Sequence, residues 1–212
     1  MKARAVKHVD PSAPLADGLQ RIIRVRLDEL HSFLPDALEP TGSQAMHDMR
    51  IAAKRLRYLL ELSAFCFGQY ARTAAKRMKE LQDLLGEVHD CDVMLPLVLG
   101  EVAELRALDA AAVVGAAAGA QDVGPAMVRA APHASTYRGL ELYAAYLQAR
   151  RALLFARFAS TWHDLARRGF RGGLEHALAE RPGPASSALH SASANGVGAG
   201  DASEQVVAPA GV

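Results

Sequence analysis

The sequence contains few of the residues on which small secreted domains depend for stability. Its 212 residues include two cysteines, one tryptophan and 6% aromatic residues in all. Two cysteines exclude a scaffold of several disulfide bridges, and we expect Cys66 and Cys91 to be buried free thiols, although their spacing does not show whether they pair. A domain of roughly 150 residues buries about 70% of its surface on folding, so stability needs neither a disulfide nor a structural metal.

Long hydrophobic runs are also absent. The longest ones cover residues 93–100 and 110–120, which are too short or too rich in Ala and Gly to span a bilayer. Residues 1–14 carry charges but no apolar core of a signal peptide. We therefore expect a cytoplasmic protein without a membrane segment.

The charge is nearly balanced, with 24 Lys and Arg against 23 Asp and Glu, but the two signs are segregated along the chain. Residues 41–79 hold eight Lys and Arg and two acidic residues, and residues 136–171 hold seven Arg and two acidic residues. Residues 80–135 between them hold nine acidic residues and two Arg. A polyanionic partner is therefore compatible with a net charge of +1.

Apolar residues recur at helical spacing through most of the chain, and no segment reads as a convincing strand. The pattern predicts an all-α fold, an antiparallel bundle of about four long helices. We expect an N-terminal tail at residues 1–14, a helical domain at 15–170, and a low-complexity, disordered C-terminal tail at 171–212.

Proline and glycine positions divide the predicted domain into helices. The third helix is expected to bend near Pro96, and the segment after it predicts a short helix and a loose connection. Gly169 and the following Gly172 and Gly173 are expected to end the last helix. The four main helices are predicted at residues 15–34, 44–67, 71–107 and 136–168.

The most informative segment is residues 46–62 of the second helix, with the sequence MHDMRIAAKRLRYLLEL. On a helical wheel, its polar side carries Tyr58 and a row of potential cations, His47, Arg50, Lys54 and Arg57. Neighbours in such a row lie about 5 to 6 Å apart and repel one another unless an anion bridges them. Arg55 lies off the row and is expected to face solvent or a carboxylate.

Two other helices carry related rows. One face of the third helix is basic in its first half and acidic in its second half, with Arg72, Lys76, Lys79, Asp83, Glu87 and Asp90. The last helix carries, on the side away from its leucines, Tyr143, Tyr146, Arg150 and Arg157. In the first helix, Arg26 interrupts the apolar stripe, and we expect its side chain to reach along the edge of the stripe to solvent.

Such rows are often only the solvated faces of bundle helices. Against this interpretation, few carboxylates stand four residues from the cations to neutralise them. Phosphate is the anion that these side chains suit best, because Arg and Lys both match its oxygens and His joins them when protonated.

Over residues 43–95 the sequence resembles a known family. The string HDMRIAAKRLRYLLEL, followed by MKELQDLLGEVHDCDV, is similar to the motif pair of the CHAD family, an α-helical domain named for its histidines. The resemblance implies a helical bundle that binds inorganic polyphosphate in a basic groove or pore and associates with polyphosphate granules. The residues that match the two motifs by position are His47, Arg50, Lys54, Arg55, Arg57 and Lys79.

The helical wheels extend this candidate polyphosphate-binding set to Arg72, Lys76, Arg150 and Arg157. Larger family members carry two such units related by a pseudo-two-fold axis, whereas this sequence shows one copy of the motif pair. A homodimer would supply the second basic wall, and we expect it to form through apolar residues that flank the rows, such as Ile51 and parts of the first helix near Arg26.

Two other ligand classes remain open. A metal site is one, and its possible ligands are His47, His89, Asp90, Cys91 and Asp92. Their spacing is poor, because adjacent residues point in different directions on a helix. Nucleic acid is the other, since phosphate contacts alone do not distinguish it from polyphosphate, although few aromatic residues interleave the cations. We see neither a placed nucleophile nor gathered carboxylates, and so expect no enzyme and no cofactor.

Overall fold

The computed structural model describes residues 2–180, and within them the chain is all-α, with no strand. The hydrophobic periodicity therefore predicts the fold class correctly. One turn of 3₁₀ helix, Asp36–Leu38, connects the first two helices. The six α-helices are α1 (Leu15–His31), α2 (Ser43–Leu62), α3 (Ala64–Ala116), α4 (Pro125–Arg129), α5 (Ala134–Arg167) and α6 (Phe170–Glu180).

The core contains the apolar stripes of α1 and α2, buried residues between Phe67 and Val98 of α3 and between Ala144 and Leu165 of α5, and the buried face of α6. At its edge, the ring of His31 on α1 meets Trp162 of α5 edge to face, with 5.2 Å between the ring centroids. The buried stripe of α2 consists of Met46, Met49, Ala52, Ala53, Leu56 and Leu60. Burial of that stripe leaves the cationic side of α2 at the surface.

The bounds of the second and third predicted helices differ most from the structure. The second helix ends at Leu62 and not at residue 67, because the chain turns at the buried Ser63, whose hydroxyl donates to the carbonyl of Leu59 at 2.6 Å. The third helix begins at Ala64, contains Gly68 at a non-helical φ of 70°, and continues past Pro96 to Ala116. Its last turns are rich in alanine, which favours helix, and this explains why it outlasts the predicted end near residue 107.

The helices α3 and α5 run antiparallel, as three contacts show. Near the bundle, Arg151 donates to Asp92 at 2.5 Å, and further out Arg106 pairs with Glu141. At the far end, the buried carboxylate of Asp109 accepts the backbone N–H of His133 at 3.1 Å, at the residue that precedes α5. This bond satisfies one of the free amides at the start of a helix.

The expected tail from residue 171 is wrong for its first ten residues, because α6 occupies them. Gly169 ends α5 at a φ of 67°, as predicted, and a new helix follows at once. Its buried side chains are Phe170, Leu174 and Leu178, which explains why the Gly172 and Gly173 pair does not terminate the structure. The rest of the predicted tail, residues 181–212, lies outside the described residues.

Residues 2–14, predicted as a tail, contain no helix and lie against α1. The guanidinium of Arg26 donates to the carbonyl of Arg4 at 2.7 Å, and that of Arg21 donates to the carbonyl of Lys7 at 2.7 Å. None of the helices in residues 2–180 combines the length and the hydropathy that crossing a membrane requires.

Candidate basic groove between the second and third helices

The cationic row of α2 lies along α3, and three contacts show that the two helices are antiparallel. The guanidinium of Arg57 donates to the side-chain oxygen of Gln82 at 3.1 Å. Two turns away, Arg50 lies so close to Gly86 that a Cβ placed there would be 3.5 Å from its Nε. At the start of α2, the rings of His47 and His89 are 4.5 Å apart. These contacts define the basic groove, whose walls are the α2 row and residues 82–89 of α3.

Four of the predicted binding residues make ion pairs within residues 2–180. Arg57 pairs with Glu61 at 3.0 Å and Lys79 pairs with Asp83 at 2.7 Å, each four residues along the same helix. The other two pairs join different helices: Arg150 with Glu87 at 2.6 Å, and Arg55 with Glu29 at 3.2 Å. Arg55 therefore faces a carboxylate, which was one of its two expected environments.

Five other predicted cations make no hydrogen bond or ion pair with any residue in the described range 2–180. Arg50 is partly buried against Gly86, whereas the other four are exposed. Lys54 has only the ring of exposed Tyr58 nearby, 5.9 Å from its Nζ. We call these residues the unpaired cations; they are Arg50, Lys54, Arg72, Lys76 and Arg157.

Helical spacing places the unpaired cations on one side of the molecule. On α3, Lys76, Lys79, Asp83 and Gly86 are three or four residues apart, so this row includes the glycine beside Arg50. On α5, Arg157 follows Arg150 by two turns, and Arg150 contacts Glu87. Because α3 and α5 are antiparallel, two turns forward along α5 from Arg150 correspond to two turns towards the N-terminus of α3 from Glu87. Arg157 therefore lies near the level of residue 80.

Carboxylates limit the basic surface at one end. The row on α3 continues into Asp83, Glu87 and Asp90, of which the first two hold Lys79 and Arg150. The predicted division of this face into a basic and an acidic half is therefore present. An anion would lie over the first half of the row, since the second half repels it.

The two histidines line a pocket of about 280 Å³ at the N-terminal end of α2, together with Ser43, Gln44, Asp92 and Val93. Burial lowers the pKa of His47, the charges of His89 and Arg50 lower it further, and Asp48 opposes them. The Nδ1 atom of His47 is buried without a hydrogen-bond partner among the described residues. The free protein therefore favours a neutral His47.

Arg26 is buried, which corrects the expectation that its side chain reaches solvent. Its Nη1 donates to Glu29 at 2.5 Å, and Glu29, only 1% exposed, also accepts from Arg55 and from the backbone N–H of Arg4 at 3.2 Å. A buried carboxylate needs such partners to remain charged. This cluster connects the N-terminal segment, α1 and α2 behind the basic groove.

The sequence pattern did not predict Gln82 and Gly86 as site residues, and it indicated His89 only as a possible metal ligand. Their spacing of four and three residues mirrors that of Lys54, Arg50 and His47 on an antiparallel partner, which is the signal that reveals them. Among residues 2–180, no three His, Cys, Asp or Glu side chains come close enough to hold a metal ion. Both cysteines are free thiols, and Cys91 is buried beside Arg150.

Residues 1–99 match the family model of the CHAD domain. The chain contains a CHAD domain. The match covers α1, α2 and the part of α3 that forms the groove, and leaves Arg150 and Arg157 of α5 outside it. No curated protein and no solved structure matches the chain.

Proposed function

We propose that the CHAD domain binds inorganic polyphosphate along the basic groove and the adjoining face of α3, and that this binding associates the protein with polyphosphate granules. The observation that carries the proposal is the set of five unpaired cations on one side of the molecule. Surface Lys and Arg residues usually find carboxylates at helical spacing, and several of their neighbours here do so.

The shape of the surface suits a chain of phosphates. Arg50 and Lys54 lie on α2, Arg72 and Lys76 on α3, and Arg157 on α5, so the cations form a band across three helices. A linear polyanion meets several of them at once, which a single orthophosphate does not. Arg forks and Lys point charges both match phosphate oxygens.

The proposal is for binding without catalysis and without a cofactor. Hydrolysis of a phosphoanhydride would require metal ions held by gathered carboxylates or a placed nucleophile. Of the acidic residues beside the groove, Asp83, Glu87 and Asp92 are paired with Lys79, Arg150 and Arg151.

Binding across a salt series tests this function. Polyphosphate of defined length is titrated into the protein, and log Kd is plotted against log salt concentration. By analogy with nucleic acids, neutralising four or five phosphates gives a steep slope, roughly 0.7 to 0.9 for each contact. Affinity that does not change with salt would contradict a surface built from several cations.

Nucleic acid is the second candidate, and Tyr58 favours it. This ring is 51% exposed, and the guanidinium of Arg57 lies 4.3 Å from its centroid. An exposed ring among cations is a stacking platform for a base. Competition between polyphosphate and single-stranded DNA at one salt concentration separates the two: we expect polyphosphate to displace DNA, and equal or tighter DNA binding would reverse the assignment.

A further inference from the structure

An exposed apolar surface lies on the outer part of the hairpin formed by α3 and α5. Ser43, the first residue of α2, lines a pocket with Val93, so α3 continues beyond the start of α2. From there to Ala116, α3 packs against α5 and the short α4. Among the exposed large side chains on the outer parts of α3 and α5, six that are between 39 and 69% exposed lie on one side of this hairpin by helical spacing. They form what we call the distal face: Met94, Leu97, Leu108, Leu142, Tyr146 and Leu153.

The distal face is on the same side of the molecule as the unpaired cations. On α3, Lys76, Asp83, Asp90 and Leu97 recur every seven residues and so share one side. On α5, Tyr146, Arg150, Leu153 and Arg157 recur every three or four residues. The contact of Arg150 with Glu87 sets the two rows next to each other.

We propose that the distal face binds a second copy of this chain, and that polyphosphate promotes this dimer. Two helices alone cover only the sides they turn to each other, and two such hairpins complete a four-helix bundle. The face is self-complementary, because Leu97 of α3 lies at the level of Tyr146 of α5, as the Arg151–Asp92 and Arg106–Glu141 contacts place them. A two-fold axis parallel to the helices puts the α3 row of each copy on the α5 row of the other.

The size of the face fits a dimer that needs support. A large apolar side chain that passes from fully exposed to fully buried loses roughly 60 to 120 Å² of accessible apolar surface. Because the six side chains are 39 to 69% exposed, they and the smaller residues between them supply on the order of 400 Å² per copy, about half of the roughly 800 Å² of a standard interface. The dimer therefore forms weakly without a ligand.

The undescribed C-terminal residues do not suit this face. Residues 181–212 contain one leucine, four valines and no Ile, Met or aromatic residue, and they lack an apolar stripe at helical spacing. They also follow α6, which contacts Tyr70 near the opposite end of α3. A second copy is the occupant whose apolar surface has the right length.

Dimerisation through the distal face brings the unpaired cations of the two copies opposite each other. The like charges oppose the dimer, and a polyanion between them removes this repulsion. Ligand that binds the dimer more tightly than the monomer shifts the equilibrium towards it. This promotion rests on the proposed function, whereas the interface itself does not.

Sedimentation velocity of the full chain tests the inference, over a range of protein concentrations, with and without a short polyphosphate. We expect a weak dimer that tightens at least about tenfold with the ligand. The double variant Leu97→Glu and Leu142→Glu should stay monomeric and still bind polyphosphate. The matched control is Leu62→Glu with Phe65→Glu, two residues of equal exposure at the junction of α2 and α3, which should dimerise like the wild type.

The outcomes test the dimer interface and polyphosphate binding separately. A wild type that binds polyphosphate and stays monomeric overturns the dimer and leaves the function intact. A polyphosphate-dependent assembly that persists in the Leu97→Glu and Leu142→Glu variant does the same, because it would reflect two molecules bridged by one polyphosphate chain. Loss of a ligand-free dimer in the distal variant supports the interface even if polyphosphate fails to bind, and in that case the proposed function is overturned.

Discussion

The imidazole rings of His47 and His89 face each other across the α2–α3 groove, with 4.5 Å between their centroids. The pair lies one turn from Arg50, at the end of the cationic row. Burial and the neighbouring positive charges lower the pKa of His47. The groove is therefore less positive near neutral pH than its composition suggests, and an anion bound there would favour the protonated ring.

Polyphosphate binding should strengthen as the pH falls from about 7.5 to about 5.5. The free protein holds the pKa of His47 below its usual value of 6.5, and a bound polyanion raises it, so binding takes up a proton. Affinity gains up to about tenfold for each unit by which the ligand raises this pKa. Titrations at several pH values measure the effect.

The variant His47→Gln provides the control for this pH dependence. It should bind with a flatter pH profile, because the glutamine side chain takes up no proton in this pH range. An unchanged profile would assign the effect to another group. The linked effect on folding has the opposite sign: since the folded pKa is depressed, the free wild-type protein should lose stability as the pH falls below about 6.5.

Replacing Gly86 with leucine should weaken polyphosphate binding without unfolding the protein. A Cβ at this position is in ordinary contact with Arg50, at 3.5 Å from its Nε, but the longer side chain occupies the space of the guanidinium and displaces it. We expect a loss of about threefold to tenfold, or roughly 1 kcal/mol. The control is Gly100→Leu on the same helix, where a Cβ meets nothing within 4 Å. Equal affinities of the two variants would remove Arg50 from the site.

The substitution Glu29→Gln should destabilise the fold by about 3 to 5 kcal/mol, because it leaves the buried cation of Arg26 without its partner. Urea unfolding measures the change. Glu80→Gln, which removes a mostly exposed pair with Arg77, is the matched control and should change stability by less than about 1 kcal/mol. A small effect of Glu29→Gln would mean that the cluster is hydrated.

Gly173→Ala should destabilise the docking of α6. A Cβ at residue 173 overlaps the hydroxyl and ring of Tyr70, whereas at Gly172 it meets nothing within 4 Å. Gly172→Ala should therefore stabilise the helix by about 0.5 to 1 kcal/mol, and Gly173→Ala should lower the midpoint of thermal unfolding. If both variants are equally stable, α6 does not pack against Tyr70 as described.

The sequence predicts the fold class and the helical faces well, because both depend on the local spacing of apolar residues. It predicts the C-terminal boundary badly for a physical reason. Gly172 and Gly173 look like helix terminators, but the approach of Tyr70 requires a residue without a side chain at 173. Such a requirement depends on a contact between residues about one hundred positions apart, which no local pattern contains.

The candidate site, like the fold, can be predicted from the sequence only as far as local spacing determines it. The α2 row follows from spacing alone, whereas its partners on α3 depend on the antiparallel register of the two helices. Ion pairs are still harder to predict. The pair of Lys79 with Asp83 follows from their spacing of four residues, but Arg150 and Glu87 are far apart along the chain. The separation of paired from unpaired cations therefore needs the structure.

The most direct test of the polyphosphate site is the affinity of the double variant Arg50→Ala and Lys54→Ala, measured beside Arg167→Ala with Arg168→Ala. The second pair removes the same charge from the end of α5, outside the groove. We expect the groove variant to bind polyphosphate at least about tenfold more weakly than the wild type, or roughly 1.4 kcal/mol, and the control to bind nearly as well as the wild type. Equal losses in both variants would show that polyphosphate senses only the overall charge and would contradict a site in the groove.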